Sequence, residues 1–391
     1  MTAAYPYTIW EPGATIGVLG GGQLGRMFAM AARRMGYRIR VVDPDPHPPA
    51  AAVADEHLCG SVADPDVRRR LIASVDLVTY EFEHLPTEAV QELSQHRPVY
   101  PGPEVLRIAQ HRILEKQFLA AAGIPTARFW PIRSEQDIQA ALSQIGTPAV
   151  LKAARHGYDG KGQVRVDQPD QAVEAFQQLR TSEAVWEAWV DFHTEFSVIV
   201  ARNLRGQMVT FPAVRNWHRR HILDVSVAPA GLPEEATRQA EAIAQSIAQH
   251  FRLVGLICVE YFYTEDHQVL VNEIAPRPHN SGHLTIEAAV TSQFEQHLRA
   301  ICNLPLGTTQ LRCPAAMANL LGELWIPQAP RFSLVCGIPG VYLHLYGKRG
   351  ATVGRKMGHL TAIGTSPAQA LRRVRRARHL LQKSACDTTP Y

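Results

Sequence analysis

Apolar positions in the first hundred residues come in short runs. Residues 15–19, 38–42 and 77–81 each read as a strand, the second interrupted by Arg40, and 23–35 reads as a helix. Strand, helix and strand joined by short glycine or proline connections predict a parallel sheet with crossover helices. PVYPGPE (98–104) reads as a closing strand and turn, and a single helix is expected from Leu106 to Ala122, ended by Gly123-Ile-Pro. Farther on the pattern changes. AVLKAA (149–154) is a short apolar strand holding one lysine. EFSVIVARN and MVTFPAV form a predicted hairpin about Arg205-Gly206, and LICVEYFYT and HQVLVNEIAP a second about Glu265-Asp266. The segment 234–251 is an amphipathic helix. The tail from about 308 reads as a hairpin, VYLHLYGKRGATVGRKMGHLTAIG, and a basic helix, RRVRRARHLLQK.

Composition narrows this picture. A chain of 391 residues, 46% hydrophobic and 19% charged, is ordinary globular material for two or three domains. A net charge of +4 suits anionic small molecules and falls short of a nucleic-acid binder. The run RRVRRARH lacks interleaved aromatics and reads as a solvated helix face. No stretch approaches the roughly 20 apolar residues of a membrane span, and the start shows no leader-like pattern. Six cysteines lie far apart with no C-x-x-C pair, as expected of reduced thiols. The expectation is a cytoplasmic protein with no nucleic-acid or membrane partner. Lysine is scarce, at six residues, so one beside glycines or inside a strand gains weight.

Two glycine loops carry the candidate chemistry. In ATIGVLGGGQLGRM, Gly20, Gly22 and Gly25 satisfy G-x-G-x-x-G, and Asp43 falls where a ribose-binding acid of an NAD-dependent dehydrogenase would sit. The second loop, GYDGKGQ (157–163), lies between two strands and lacks the Walker pattern. Its glycines let main-chain amides approach phosphate, and Lys161 adds a charge, so it suits a lid over a triphosphate; a plain tight turn is the alternative. Lys152, inside an apolar strand, calls for an anion. Glu260 and Glu273 lie on the two strands of one predicted hairpin, where antiparallel pairing brings them together with Asn272. Two acids and an amide oxygen suit Mg²⁺ (or Mn²⁺) shared with substrate phosphates; half-exposed edge-strand acids are the alternative. RPHNSGH (277–283) then gathers Arg277, His279, Asn280 and further groups suited to anions.

In this order, Lys152, GYDGKGQ, EAWV (187–190), Glu195, Glu260 and NEIAPRPHNSGH resemble the ATP-grasp superfamily. GGGQLGRM, TYEFEHLP, RPHNSGH and GRKMGH further resemble the N5-carboxyaminoimidazole ribonucleotide synthetase family within it. The resemblance implies an α/β and α+β chain. A Rossmann-like pre-ATP-grasp domain with a parallel sheet would span 1–105, the ATP-grasp domain 106–305 and a small β-rich C-terminal domain 306–391. It implies an ATP- and bicarbonate-dependent ligase of purine biosynthesis, a homodimer, that carboxylates 5-aminoimidazole ribonucleotide through carboxyphosphate.

Carried over by position, Arg112 and Lys152 hold nucleotide phosphates beneath the lid Gly157, Tyr158, Asp159, Gly160, Lys161, Gly162 and Gln163. Glu187, Ala188, Trp189 and Val190 meet adenine, Glu195 the ribose, and His218 and Asn272 stand on the nucleotide side. Glu260 and Glu273 bind Mg²⁺. Gln23, Leu24, Lys348 and Arg355 take the acceptor's phosphate, while Glu81, Tyr158, Lys161, Arg277, His279 and Asn280 surround the reacting groups. Of the two acids in YEFEH, Glu81 is preferred over Glu83 because it lies nearer the strand end. His111 departs from the family's usual acid before Arg112. On this reading the turn from Gly22 to Gly25 cradles a monophosphate and Asp43 has no ligand. The rivals are a formate-dependent glycinamide ribonucleotide transformylase and, from another class, the dehydrogenase, which leaves the ATP-type residues unexplained.

Overall fold

The computed structural model of the chain describes residues 8–155, 157 and 160–386. The run Thr15–Leu19 forms β1, buried along its whole length as a strand covered on both faces must be. With β2 (Arg38–Asp43), β3 (Glu56–Cys59) and β4 (Leu77–Tyr80) it builds a parallel sheet in the order β3-β2-β1-β4. Helices α1 (Gln23–Arg34), α2 (Pro65–Ile72) and α3 (Thr87–His96) cover it. Leu24, Met27, Phe28 and Ala32 of α1 pack on Ile16, Val18 and Ile39. The short β3 escapes the sequence pattern because only Leu58 of its residues is fully buried, which leaves no period to read.

Two expectations fail here. Residues 98–104 make one bridge, Val99 to Val78, before α4 (Pro103–Ala109) begins. The expected helix from Leu106 to Ala122 is two helices, α4 and α5 (Arg112–Ala121). At the break His111 is extended (φ −135°, ψ 104°), and the Arg112 N–H donates to Ala154 O at 2.9 Å. A contact with a distant strand end breaks the helix, without a local glycine or proline.

A small antiparallel sheet follows, ordered β5-β8-β6-β7, from β5 (Phe129–Ile132), β6 (Ala149–Ala153), β7 (Gln163–Val166) and β8 (Ala184–Ala188). α6 (Glu135–Gln144) and α7 (Ala172–Leu179) supply its apolar cover. The glycine loop is the turn between β6 and β7.

The remaining strands form one nine-stranded sheet. They are β9 (Phe192–Arg202), β10 (Met208–Thr210), β11 (Val214–Arg219), β12 (Ile222–Ala228), β13 (Gly255–Thr264), β14 (Val269–Ala275), β15 (Ala315–Leu321), β16 (Val341–Leu345) and β17 (Lys356–Ile363). The path runs β14-β13-β9-β11-β12-β15-β17-β16, with β10 on β9, so the sheet continues unbroken across residue 306 through β12 and β15. Ala240, Ala244 and Ile247 of α8 (Glu234–His250) pack on Val198, Val200 and Ile257. After the short α9 (Thr285–Ala288), α10 (Gln293–Ile301) sets Phe294 and Leu298 into the core of the parallel-sheet domain. Beyond α11 (Ser333–Cys336), the basic α12 (Pro367–Cys386) buries Ala370, Val374, Ala377 and Leu381 against the sheet. Arg378 on it pairs with Asp224 at 2.6 Å. No helix among the described residues is long and apolar enough to cross a membrane.

Candidate active site

The parallel sheet and the two antiparallel sheets meet at a cleft of about 800 Å³, of the size small-molecule sites have. Gln23, Leu24 and Glu81 reach it from the first, Lys152, Glu187, Ala188, Trp189 and Val190 from the second, and Glu195, His218, Glu260, Asn272 and Glu273 from the third. Arg112 at the start of α5, and Arg277, His279 and Asn280 in the segment after β14, complete it.

The β13–β14 hairpin sets its carboxylates by register. Glu260 stands directly opposite Glu273, and the pairing shifts at the next step, where Tyr261 meets Val271. Asn272 is the extra residue of this bulge. In a regular strand Asn272 and Glu273 would point to opposite faces; the bulge turns both into the cleft. Each carboxylate engages one oxygen with a base: His279 Nε2 donates to Glu260 Oε1 at 2.9 Å, and Arg112 Nη1 to Glu273 Oε2 at 3.0 Å. Burial pushes the Glu260 carboxyl up, but His279, His218 and Arg277 outweigh it and hold its pKa at about 2. Among the described residues no three His, Cys, Asp or Glu side chains gather as a ready metal site. The donor set is two carboxylates plus Asn272 Oδ1, which is buried with no partner among the described residues. That set fits a hard divalent cation that completes its shell with phosphate oxygens and water.

Lys152 finds its anion inside the chain. Its Nζ donates to Glu187 Oε2 at 3.1 Å, and Lys116 Nζ lies 3.4 Å from the same oxygen. Burial opposes ionisation of Glu187, yet Lys116, Lys152 and Arg112 hold its pKa at about 2. The Glu187 carboxylate is thus turned toward the lysines. The amides of Ala188 and Trp189 are also engaged, donating to Arg128 O and Pro148 O at 2.9 and 3.1 Å. Glu195 pairs with His218 Nδ1 at 2.6 Å. Burial disfavours the imidazolium, but the hydrogen bond and charge of Glu195 prevail and raise the His218 pKa.

At the other end, the glycine turn before α1 is closed from within. The amides of Gly22 and Gly25 donate to the two oxygens of Glu81, the second at 2.6 Å. Asp43 Oδ2 accepts the Gly21 amide at 2.7 Å, so the supposed NAD ligand braces the turn. The cradle expected from Gly22 to Gly25 is therefore narrowed to the first-turn positions Gln23 and Leu24. Burial raises the Glu81 pKa in spite of those two amide bonds. Glu83 also lines the cleft and grips Arg277 with two hydrogen bonds, 2.5 and 2.9 Å. The choice between the two acids has a double answer: Glu81 holds the turn and Glu83 holds the guanidinium.

Other expected residues spread more widely. Gly157, Gly160 and Gln163 line the cleft, whereas Lys161 and Gly162 are exposed on the turn above it. Gly160 has φ +77° and packs so closely on His221 that no side chain fits there. Tyr158 and Asp159 lie outside the described residues. Lys348 stands near enough to Glu81 to oppose in part the rise that burial causes, while Arg355 Nη1 donates to Arg349 O and Gly350 O at 2.5 and 2.7 Å. Lys356, beside it, lines the cleft and escaped the sequence reading. Glu115, which also lines the cleft, and Lys116 behind it escaped as well. Both follow Arg112 by one helical turn, and that spacing on a chain poor in lysine was the available signal. Glu115 is buried, its pKa pushed up to about 8, and its Oε1 has no partner among the described residues. His111 turns away from the cleft to Glu183, 3.1 Å distant, so the departure from the family pattern leaves Arg112 in place.

A phosphate-suited glycine hairpin, a lysine–glutamate pair on the small sheet and facing acids on the large one define an ATP-grasp protein. Residues 117–294 match the ATP-grasp domain, 13–110 the ribonucleotide synthetase preATP-grasp domain, and 315–373 the phosphoribosylaminoimidazole carboxylase C-terminal domain. The chain belongs to the N5-carboxyaminoimidazole ribonucleotide synthase family, ATP-dependent ligases of this class. It is 42% identical to the Bacillus subtilis enzyme over 90% of this chain and 91% of that one, and 43% identical to the Pseudomonas aeruginosa enzyme over 88% and 93%. An ADP complex of an N5-carboxyaminoimidazole ribonucleotide synthetase superposes with TM-score 0.90 at 41% identity, covering 97% of this chain and 99% of the other. The Aspergillus clavatus synthase, in complex with ADP and 5-aminoimidazole ribonucleotide, superposes with TM-score 0.86 at 31% identity, covering 95% and 99%.

Proposed function

We propose that this chain carboxylates 5-aminoimidazole ribonucleotide, with ATP and bicarbonate as co-substrates, in purine biosynthesis. A bicarbonate oxygen attacks the γ-phosphorus, the bond to the bridging oxygen breaks, and ADP leaves. The acceptor's amine then forms a C–N bond to the carbon of carboxyphosphate, or of the CO₂ it releases. Phosphate departs and the amine gives up a proton. Lys152 and Arg112 would face the nucleotide phosphates, Glu195 and the 187–190 hinge the nucleoside, and Gln23, Leu24 and Lys348 the acceptor's phosphate. Glu260, Glu273 and Asn272 would hold Mg²⁺ (or Mn²⁺), which supplies charge neutralisation at the triphosphate. Arg277, kept charged by Glu83, would face the anion formed between the two substrates, beside His279 and Asn280.

The observation that supports this reading most is that Gln23 and Leu24 line the same cleft as Lys152, Glu195, Glu260 and Glu273. A nucleotide and a phosphorylated acceptor can then meet at Arg277. A dehydrogenase would leave the lysine–glutamate cluster and the facing acids without a task. Oxygen transfer tests the chemistry: with ¹⁸O-bicarbonate, label should enter inorganic phosphate, and its absence would rule out carboxyphosphate. We also infer a cytoplasmic homodimer, to be read by light scattering as twice the 43.3 kDa chain mass.

A further inference from the structure

The loop after β14 carries Arg277, His279 and Asn280, and its main chain belongs to no sheet ladder. Buried main-chain groups need partners; within the loop the Gly282 N–H donates to His279 O at 3.0 Å and the His283 N–H to Asn280 O at 3.1 Å, and the His279 N–H is met by a side chain from another element. Gln293, at the first turn of α10, is fully buried and does not line the cleft. Its Oε1 accepts the His279 N–H at 2.8 Å, and its Nε2 donates to His279 O at 2.7 Å. A single side-chain amide thus pairs with His279 as a neighbouring strand would. The same Nε2 reaches His283 Nδ1 at 3.2 Å. The Gln293 N–H donates to Thr285 Oγ1 at 3.0 Å, and that hydroxyl donates to Gly282 O at 2.5 Å. Space is tight: a Cβ on Gly282 would lie 2.5 Å from both Gln293 Oε1 and Ile199 Cδ1.

Asn280 is the next residue after the clamped one. Its Oδ1 and Nδ2 are both buried, and neither has a partner among the described residues, although Asn280 lines the cleft. No hydrogen bond of its own fixes that amide, so its aim is set by the main chain at His279. We propose that Gln293 is a positioning residue, clamping the His279 main chain so that the Asn280 amide meets the reacting anion. The proposal rests on the carboxylation reading above. An error of about 1 Å at such a group lowers the rate on the order of 100-fold.

The test is a double-mutant cycle on the full chain with Gln293→Leu, Asn280→Ala and the pair. Gln293→Glu serves as a second probe, because it keeps an acceptor for the His279 N–H and loses the donor to His279 O. The expected result is a kcat lowered roughly 10- to 100-fold in each Gln293 variant, with the KM for ATP within about twofold of wild type. In the Asn280→Ala background, Gln293→Leu should cost less than threefold more. Full additivity, or an unchanged kcat in both Gln293 variants, would overturn the proposal. Amide hydrogen exchange over 277–284 reads the clamp without substrate. Gln293→Leu should speed it, and unchanged exchange would overturn the clamp even if the wild-type chain proved inactive with this acceptor. Wild-type inactivity would count against the carboxylation reading instead.

Discussion

The carboxylate of Glu81 accepts the main-chain N–H of Gly25 at 2.6 Å, in the turn whose glycines match a dinucleotide fingerprint. An acid from the end of β4 thereby occupies amides that an anionic ligand would otherwise take. Removing it should be felt in two ways. Glu81→Ala leaves the buried Gly25 donor and the half-buried Gly22 donor without their acceptor, which destabilises by about 1–3 kcal/mol. Because Glu81 braces the turn that carries Gln23 and Leu24, its loss should also shift the KM for the ribonucleotide more than that for ATP. Thermal unfolding and paired KM measurements check this; an unchanged melting temperature would contradict the clamp on the turn.

Glu273→Gln is expected to abolish turnover while leaving the fold intact, because it removes charge from the donor set opposite Glu260. Circular dichroism establishes the fold, and a Mg²⁺ titration of the rate tests the role. A wild-type rate at saturating Mg²⁺ would remove Glu273 from the cation site.

Lys348→Ala should raise the acceptor KM and leave kcat nearly unchanged, as loss of a phosphate contact remote from the bond changes does. Arg355→Ala should have a smaller effect, since that guanidinium is bound to the carbonyls of Arg349 and Gly350. Equal effects would mean that Arg355 swings to the ligand.

Acid stability follows from buried imidazoles. Burial lowers the pKa of His283, His297 and His359, for His297 to about 3. A depressed histidine contributes stability above its unfolded pKa, near 6.5, and loses it as pH falls below that value. Glu115, raised to about 8, has the opposite sign: its contribution grows as pH falls from 8 toward its unfolded value. The variant difference isolates one group. Relative to wild type, His297→Gln should reduce the loss of stability between pH 6.5 and 5 by at most about 1.4 kcal/mol per pH unit. Denaturant midpoints at each pH measure it, and parallel curves for the two proteins would contradict the buried neutral imidazole.

What the sequence disclosed and withheld follows from distance along the chain. The run at Thr15–Leu19, the glycine turn and the Glu260–Glu273 hairpin are local patterns whose spacing carries the geometry. The bulge at Asn272 was not legible, although it is what brings the amide beside the acids. Pairings across the chain were hidden as well: Arg277 with Glu83, Lys116 with Glu187, and Gln293 with His279. Each depends on packing of separate elements, and no periodicity records it. The split between α4 and α5 is of the same kind, since the Ala154 carbonyl that holds Arg112 comes from the end of β6, some forty residues farther along the chain. Glu187 shows the converse, a motif residue whose side chain tertiary neighbours claim.

The proposed function joins ATP hydrolysis to carboxylation of a ribonucleotide amine in one cleft. Its most direct test is ADP release by the purified chain with Mg²⁺-ATP and bicarbonate, with and without 5-aminoimidazole ribonucleotide, followed alongside ¹³C incorporation into product. The expected result is that ADP forms in step with labelled N5-carboxylated product and needs the aminoimidazole acceptor. Stimulation only by formate with glycinamide ribonucleotide, or ADP release with no carboxylated product, would contradict it.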